Sequence, residues 1–219
     1  MTFDASLASP RALLLDLDGT LADSLSTMRQ AYRKFLEQFH AKPTDAEFDL
    51  LNGPPLCEVV RHLKTAHELE GDTAELLACY FEVIDDVYSG VVPSPGASEL
   101  LQKASVNQCT VGIVTSNTSG RTRAWLESAG LSHLIDFIVS GEEVKIGKPD
   151  PEPYLLGARK ASCALSAIVA VEDSPQGAQS AIGAGIRTFV LTGEFGGKFS
   201  WPPNSVPIRS LSTLAELLW

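Results

Sequence analysis

No apolar run in this chain approaches the ~18 residues needed to cross a bilayer, and residues 1–10 lack a basic stretch followed by an apolar one. These absences leave a cytoplasmic location as the expectation, with no membrane partner. Paired cysteines are also missing. Cys57, Cys79, Cys109 and Cys163 are scattered without C-x-x-C spacing, and three sit in apolar or Ala-rich contexts, so they are expected to be reduced, structural side chains. Basic residues are scarce, 17 Lys and Arg against 27 Asp and Glu, a formal charge of −10. Such a chain has no cationic footprint for a nucleic-acid backbone. It would also repel a phosphate ester, so a site for one must supply local compensation from a metal ion, a lysine or a helix N-terminus. Internal repeats and low-complexity tracts are absent as well.

What remains is an ordinary globular composition, 44% apolar and 20% charged over 219 residues. A chain of that length can bury roughly 70–75% of its unfolded surface and needs no disulfide or structural zinc. Arg11–Leu17 ("RALLLDL") is a short, nearly continuous apolar run of the kind a buried parallel strand requires, and it stops at Gly19. Cys109–Thr115, Ile135–Ser140, Ala167–Glu172 and Thr188–Thr192 behave alike. Between them, Gly96–Ala104, Gly120–Ala129, Pro151–Ala161 and Pro175–Ala184 have helical composition and open on Ser, Gly or Pro. The alternation predicts an α/β fold, a doubly wound parallel sheet with helices on both faces. Ligands of such sheets bind beyond the carboxyl ends of the strands.

From Asp23 to about Gly90 the alternation stops. Met28, Ala31, Tyr32, Phe35, Leu36 and Phe39 recur at helical spacing. Breaks at Lys42-Pro43, Asn52-Gly53-Pro54-Pro55 and Gly71-Asp72 divide the segment into about four helices, and Pro93-Ser94-Pro95-Gly96 marks the return to the α/β body. The expected organisation is a core of residues 1–21 and 92–219 with an all-helical insertion over 22–91. Gly196–Pro207 reads as an irregular loop, and Phe199–Pro203 as a loop packed on the body.

Polar residues then gather at the predicted strand ends. Asp16 and Asp18 stand in "DLDGT", two carboxylates one residue apart, where Gly19 permits a sharp turn. Thr115, Ser116 and Asn117 follow the second strand, uncharged donors suited to phosphoryl oxygens ahead of a helix. Lys148 lies in "GKPDPEPY", and Glu172 and Asp173 close the fourth strand in "VEDSPQ". In a doubly wound sheet these ends open on one crevice, gathering carboxylates, donors and one ammonium. Clustered carboxylates with no histidine among them suit Mg²⁺ better than zinc, since His40, His62, His67 and His133 all fall elsewhere.

The four motifs, in this order, resemble the haloacid dehalogenase superfamily of hydrolases, in particular members with a small helical cap after the first motif. The resemblance implies that Asp16 is the nucleophile that becomes an aspartyl phosphate and that Asp18 is the general acid and base, its backbone carbonyl facing the metal. It implies too that Asp173 and Asp16 hold Mg²⁺, with Glu172 a less direct member of that metal group, and that Thr115 and Lys148 hold the phosphoryl oxygens. Thr20, Ser116 and Asn117 are candidate helpers in binding phosphate, and Gly53 is a candidate substrate contact in the loop "NGPPL", which is similar to that of phosphoglycolate phosphatase-like and pyrophosphatase-like members. Asp18 favours phosphoryl transfer over dehalogenation, because a departing halide needs no proton. The expected substrate is a small phosphorylated metabolite. A sugar phosphomutase and a non-catalytic phosphate-binding protein remain the alternatives.

Overall fold

The computed structural model describes residues 9–51, 54–192 and 200–219. Six strands, β1 (Ala12–Leu15), β2 (Thr110–Val114), β3 (Phe137–Val139), β4 (Ile168–Glu172), β5 (Arg187–Leu191) and β6 (Val206–Ile208), form one parallel sheet in the order β3-β2-β1-β4-β5-β6. The predicted strands are all present; β1 to β4 are one to three residues shorter than the apolar runs that mark them, and β5 matches its run in length but starts one residue earlier. Helices α5 (Ala97–Val106), α6 (Ser119–Ser128), α7 (Glu152–Ala161) and α8 (Pro175–Gly183) link them, so the chain winds outward from β1 in both directions. Successive side chains of a strand point to opposite faces. Leu13 and Leu15 accordingly enter the core that includes α5, whereas Leu14 enters the one covered by α7 and α8.

Two elements were not expected. β6 overlaps the last two residues of the segment read as an irregular loop and ends one residue beyond it, and α9 (Leu211–Leu218) follows. Proline in a strand signals a loop, but β6 is three residues long and lies at the sheet edge, where a missing ladder donor is tolerated. Residues 193–199, including Phe199, lie outside the described residues. The cysteines carry free thiols, but Cys109 is the buried one, Cys57 is exposed, and Cys79 and Cys163 are intermediate. Cys57 sits on the solvent side of a helix whose inner stripe is Val59, Val60 and Leu63, so its apolar neighbours in sequence were no guide to its own burial. Trp125 belongs to the core, 3% exposed, with its indole N–H donating to the Val91 carbonyl at 3.0 Å.

Between β1 and α5 come four helices with no strand of the sheet among them, α1 (Leu25–Gln38), α2 (Asp45–Leu50), α3 (Leu56–Ala66) and α4 (Thr73–Tyr88). α1 buries Ala31, Tyr32, Phe35 and Leu36 along one stripe, and α4 buries Leu76, Tyr80, Val83 and Ile84. The two stripes meet, with the rings of Phe35 and Tyr80 stacked 4.7 Å apart. Asp72 and Glu75 form a reciprocal capping box that starts α4. The chain enters and leaves this segment side by side: Ala22 bridges Pro93, and the Asp23 N–H donates to the Val92 carbonyl at 3.0 Å. Among the described residues no helix is long and apolar enough to cross a membrane.

Gly96 caps α5 at φ +84°, and a Cβ there would lie 2.5 Å from the Ser212 backbone nitrogen. A Gly96→Ala protein is therefore expected to lose about 2 kcal/mol of stability, from the left-handed backbone and the forced shift of α9 together. Urea unfolding measures it, and a loss under about 0.5 kcal/mol, the range of ordinary surface changes, would refute the packing argument.

Candidate active site

Every polar group named from the strand ends is carried to the same end of the sheet by the parallel topology. Asp16 directly follows β1 and keeps to the ladder through its N–H, which donates to the Val171 carbonyl at 3.0 Å. Lys148 precedes α7 and reaches back under the strand ends. Its ammonium is 2.6 Å from Asp16 Oδ1, 2.5 Å from Glu172 Oε1 and 3.0 Å from the Val114 carbonyl. All three donor positions are thus used. The side chain is 3% exposed. Burial alone would strip its proton, but the carboxylates of Asp16 and Glu172 outweigh that and hold it above the usual lysine range. Burial pushes Asp16 well up; Lys148 opposes this, while Glu172 and Asp173 add to it.

Glu172 is fully buried behind the lysine. Besides Lys148 it takes a 2.6 Å hydrogen bond from the Tyr154 phenol on α7, which burial and the Glu172 charge keep protonated. Space for the carboxylate exists because residue 177 has no side chain: a Cβ on Gly177 would come 2.0 Å from Glu172 Oε2. Ser174 caps α8 by accepting from the Gly177 N–H. Asp173 lies close by, and a Cβ on Gly19, which has φ +86°, would overlap its Oδ2 at 2.1 Å. The turn after Asp18 therefore needs glycine both for its backbone angle and for the approach of Asp173.

Asp18 is held from three sides. Its Oδ1 accepts from Ser24 Oγ at 2.8 Å and from the Tyr88 phenol at 2.6 Å, and its Oδ2 from Asn117 Nδ2 at 3.2 Å. Burial and the neighbouring Asp18 charge keep Tyr88 protonated and therefore a donor. Asn117 is itself oriented by Arg121 on α6, which donates to its Oδ1 at 2.8 Å and pairs with Asp85 of α4 at 2.7 Å. Thr115 Oγ1 accepts from the Asn117 N–H at 3.0 Å.

Asp16, Asp18, Thr115, Ser116, Asn117, Lys148 and Asp173 line one cavity, together with Ser174 and residues of α1 to α4. Glu172 stands behind that lining, and so does Thr20, whose buried hydroxyl meets no partner among the described residues. Gly53 lies outside the described residues. Tyr154, Tyr88, Ser24 and Arg121 escaped the sequence reading because their roles come from distant contacts. Only Tyr154, inside "GKPDPEPY", had a signal nearby. Ligand oxygens of Asp16, Glu172 and Asp173 lie within 4.8 Å of one another. This compact, all-carboxylate donor set fits a hard divalent cation.

A model of the haloacid dehalogenase-like hydrolases matches residues 13–191. The chain belongs to that family and is a hydrolase. Hexitol phosphatase A of Escherichia coli K12 is 33% identical over 181 residues, 83% of this chain and 82% of that protein. The phosphoglycolate phosphatase of Rhodospirillum rubrum is 28% identical over 218 residues, 94% of this chain and 86% of that one. In fold the chain is similar to CbbY from Rhodobacter sphaeroides, crystallised with phosphate, at a TM-score of 0.80 and 22% identity over 94% of this chain and 96% of the other.

Removing the Tyr154 hydroxyl leaves a fully buried carboxylate short of one donor. Tyr154→Phe is expected to lower stability by about 1–3 kcal/mol, the cost of such an unmade hydrogen bond, as read by denaturant titration. A neutral result would mean that Lys148 and the Ser174 hydroxyl, 3.4 Å from Oε2, satisfy Glu172 without the phenol.

Proposed function

We propose that the protein is a cytoplasmic, Mg²⁺-dependent phosphatase that hydrolyses a small phosphate monoester through an aspartyl phosphate, with residues 22–91 acting as a cap over a core of 1–21 and 92–219. The observation that carries this reading is the convergence of Asp16, Asp18, Thr115, Lys148 and Asp173 on one cavity. Relatives named for hexitol and phosphoglycolate phosphatase activities support it.

Asp16 is the nucleophile. Its carboxylate forms the new bond to phosphorus while the ester oxygen departs in line, and the acyl phosphate that results is readily hydrolysed. Asp18 delivers a proton to the departing oxygen and then takes one from the water that cleaves the aspartyl phosphate. The Lys148 ammonium and the Thr115 hydroxyl hold equatorial phosphoryl oxygens, with Ser116 and Asn117 as further donors. Asp16 and Asp173, with the Asp18 backbone carbonyl, would hold Mg²⁺, and Glu172 would serve the metal through its grip on Lys148. The cation supplies neutralisation of charge on the transferring group. Closure of the cap excludes bulk water from the aspartyl phosphate.

Asp16→Asn should abolish phosphate release, a fall of about 10⁴-fold or more in kcat, because an amide cannot form the acyl phosphate. Asp18→Asn should lower kcat by about 10²- to 10⁴-fold. Chelator should silence the wild type and added Mg²⁺ restore it. The assay is inorganic phosphate released from a panel of small esters. Full activity of the Asp16→Asn protein would overturn the mechanism, and an isomeric sugar phosphate formed with little free phosphate would identify a mutase.

A further inference from the structure

The cavity has two walls of opposite character. The strand ends contribute carboxylates, hydroxyls and one ammonium. The opposite wall, built from α1 to α4, presents Met28, Phe48, Pro54, Leu56, Val59 and Tyr80 toward them. No residue of that wall among those described carries a charge. Tyr32 also lines it, but its hydroxyl donates to Glu47 at 2.5 Å and accepts from the Thr44 N–H at 3.1 Å, so its polar capacity is turned away from the cavity. One cation beside this wall is Arg29. It is engaged by Asp45 at 3.0 Å and Asp49 at 2.9 Å, lies 4.5 Å from the Phe48 ring centre, and does not line the cavity. Tyr80 is 3% exposed, and its phenol makes no hydrogen bond to a described residue.

This wall meets the leaving group. On the core side Lys148 is the only cation among the described lining residues, and the proposed mechanism already commits it to the transferring phosphoryl group beside Asp16 and Glu172. A carboxylate or second phosphate on the leaving group would be stripped of water against aliphatic and aromatic side chains and meet no cation among the described residues of that wall. The rows of hydroxyls on a polyol would lose water in the same way, although an apolar pocket rejects added hydroxyls more weakly than charge. The cavity is also small, about 80 Å³, against the roughly 300 Å³ at which sites for drug-sized ligands begin.

Resting on the phosphatase reading of the same cavity, we infer that the preferred substrate is the phosphate monoester of a compact, uncharged and mainly apolar alcohol. Tyr80 offers such a leaving group one hydroxyl contact. The preference separates this chain from relatives whose names specify a hexitol phosphate or phosphoglycolate.

The test compares kcat/KM with Mg²⁺ for four esters of primary alcohols, which leave with similar ease: benzyl phosphate, 3-methylbutyl phosphate, sorbitol 6-phosphate and phosphoglycolate. The two apolar esters should exceed sorbitol 6-phosphate by about tenfold or more and phosphoglycolate by about a hundredfold. Met28→Lys places an ammonium in the wall on a chain of similar length. It should raise kcat/KM for phosphoglycolate at least about tenfold and lower it for 3-methylbutyl phosphate. Leu56→Lys, at the half-buried first residue of α3, makes the same test should Met28→Lys not melt cooperatively. A wild type that favours phosphoglycolate or sorbitol 6-phosphate, or a folded lysine variant with the original ranking, overturns the inferred preference and leaves the phosphatase reading standing. No phosphate release from any ester, matching Asp16→Asn, overturns the phosphatase reading itself.

Discussion

The Lys148 ammonium, buried between Asp16 and Glu172, is the contact on which the candidate site depends. Three carboxylates gathered at one sheet end in a chain of charge −10 would repel one another strongly in a medium of low polarity. A single cation at 2.6 Å and 2.5 Å from two of them offsets much of that repulsion. Breaking such a pair by removing one partner is far costlier than forming it is favourable, because the remaining charge is left buried. The same lysine accepts no freedom of position: two carboxylates and the Val114 carbonyl fix its three donors, so it meets an incoming phosphoryl group already oriented.

The second constraint is the attachment of Asp18 to both ends of the helical segment. Ser24 lies at the entry to α1 and Tyr88 at the end of α4, and both donate to one carboxylate oxygen. Asn117 takes the other oxygen, and through Arg121 and Asp85 it is tied to α4 again. Movement of the four helices relative to the sheet would therefore act directly on Asp18. The loop carrying Lys148 is similarly close to α3, since a Cβ on Gly147 would stand 2.6 Å from the Pro55 ring.

Much of the fold was legible because parallel strands buried on both faces must be nearly all apolar, and the runs at Ala12–Leu15, Thr110–Val114 and Ile168–Glu172 are. β6 was illegible because Pro207 obeys a rule of the sheet edge, and edge position is a property of the assembled sheet. Cys57 misled for a related reason: neighbours in sequence point around a helix in different directions. In the site, the acidic pairs and Lys148 were visible from residue type and placement at strand ends. Tyr88 and Tyr154 were invisible because their partners lie 70 and 18 residues away along the chain.

The sequence by itself determined the sheet-and-helix alternation, the helical character of the stretch after Asp23, and the set of charged and hydroxyl groups that would meet at the strand ends. Local periodicity and the short reach of a β-α connection are enough for that. Only the tertiary structure decided that Glu172 grips Lys148, that Asp18 is held from both ends of the helical segment, and that the described side chains facing the phosphate-binding groups are mainly apolar. Each of those depends on which side chains from separate elements end within a few ångströms of one another, and burial then sets whether a charge there is tolerated.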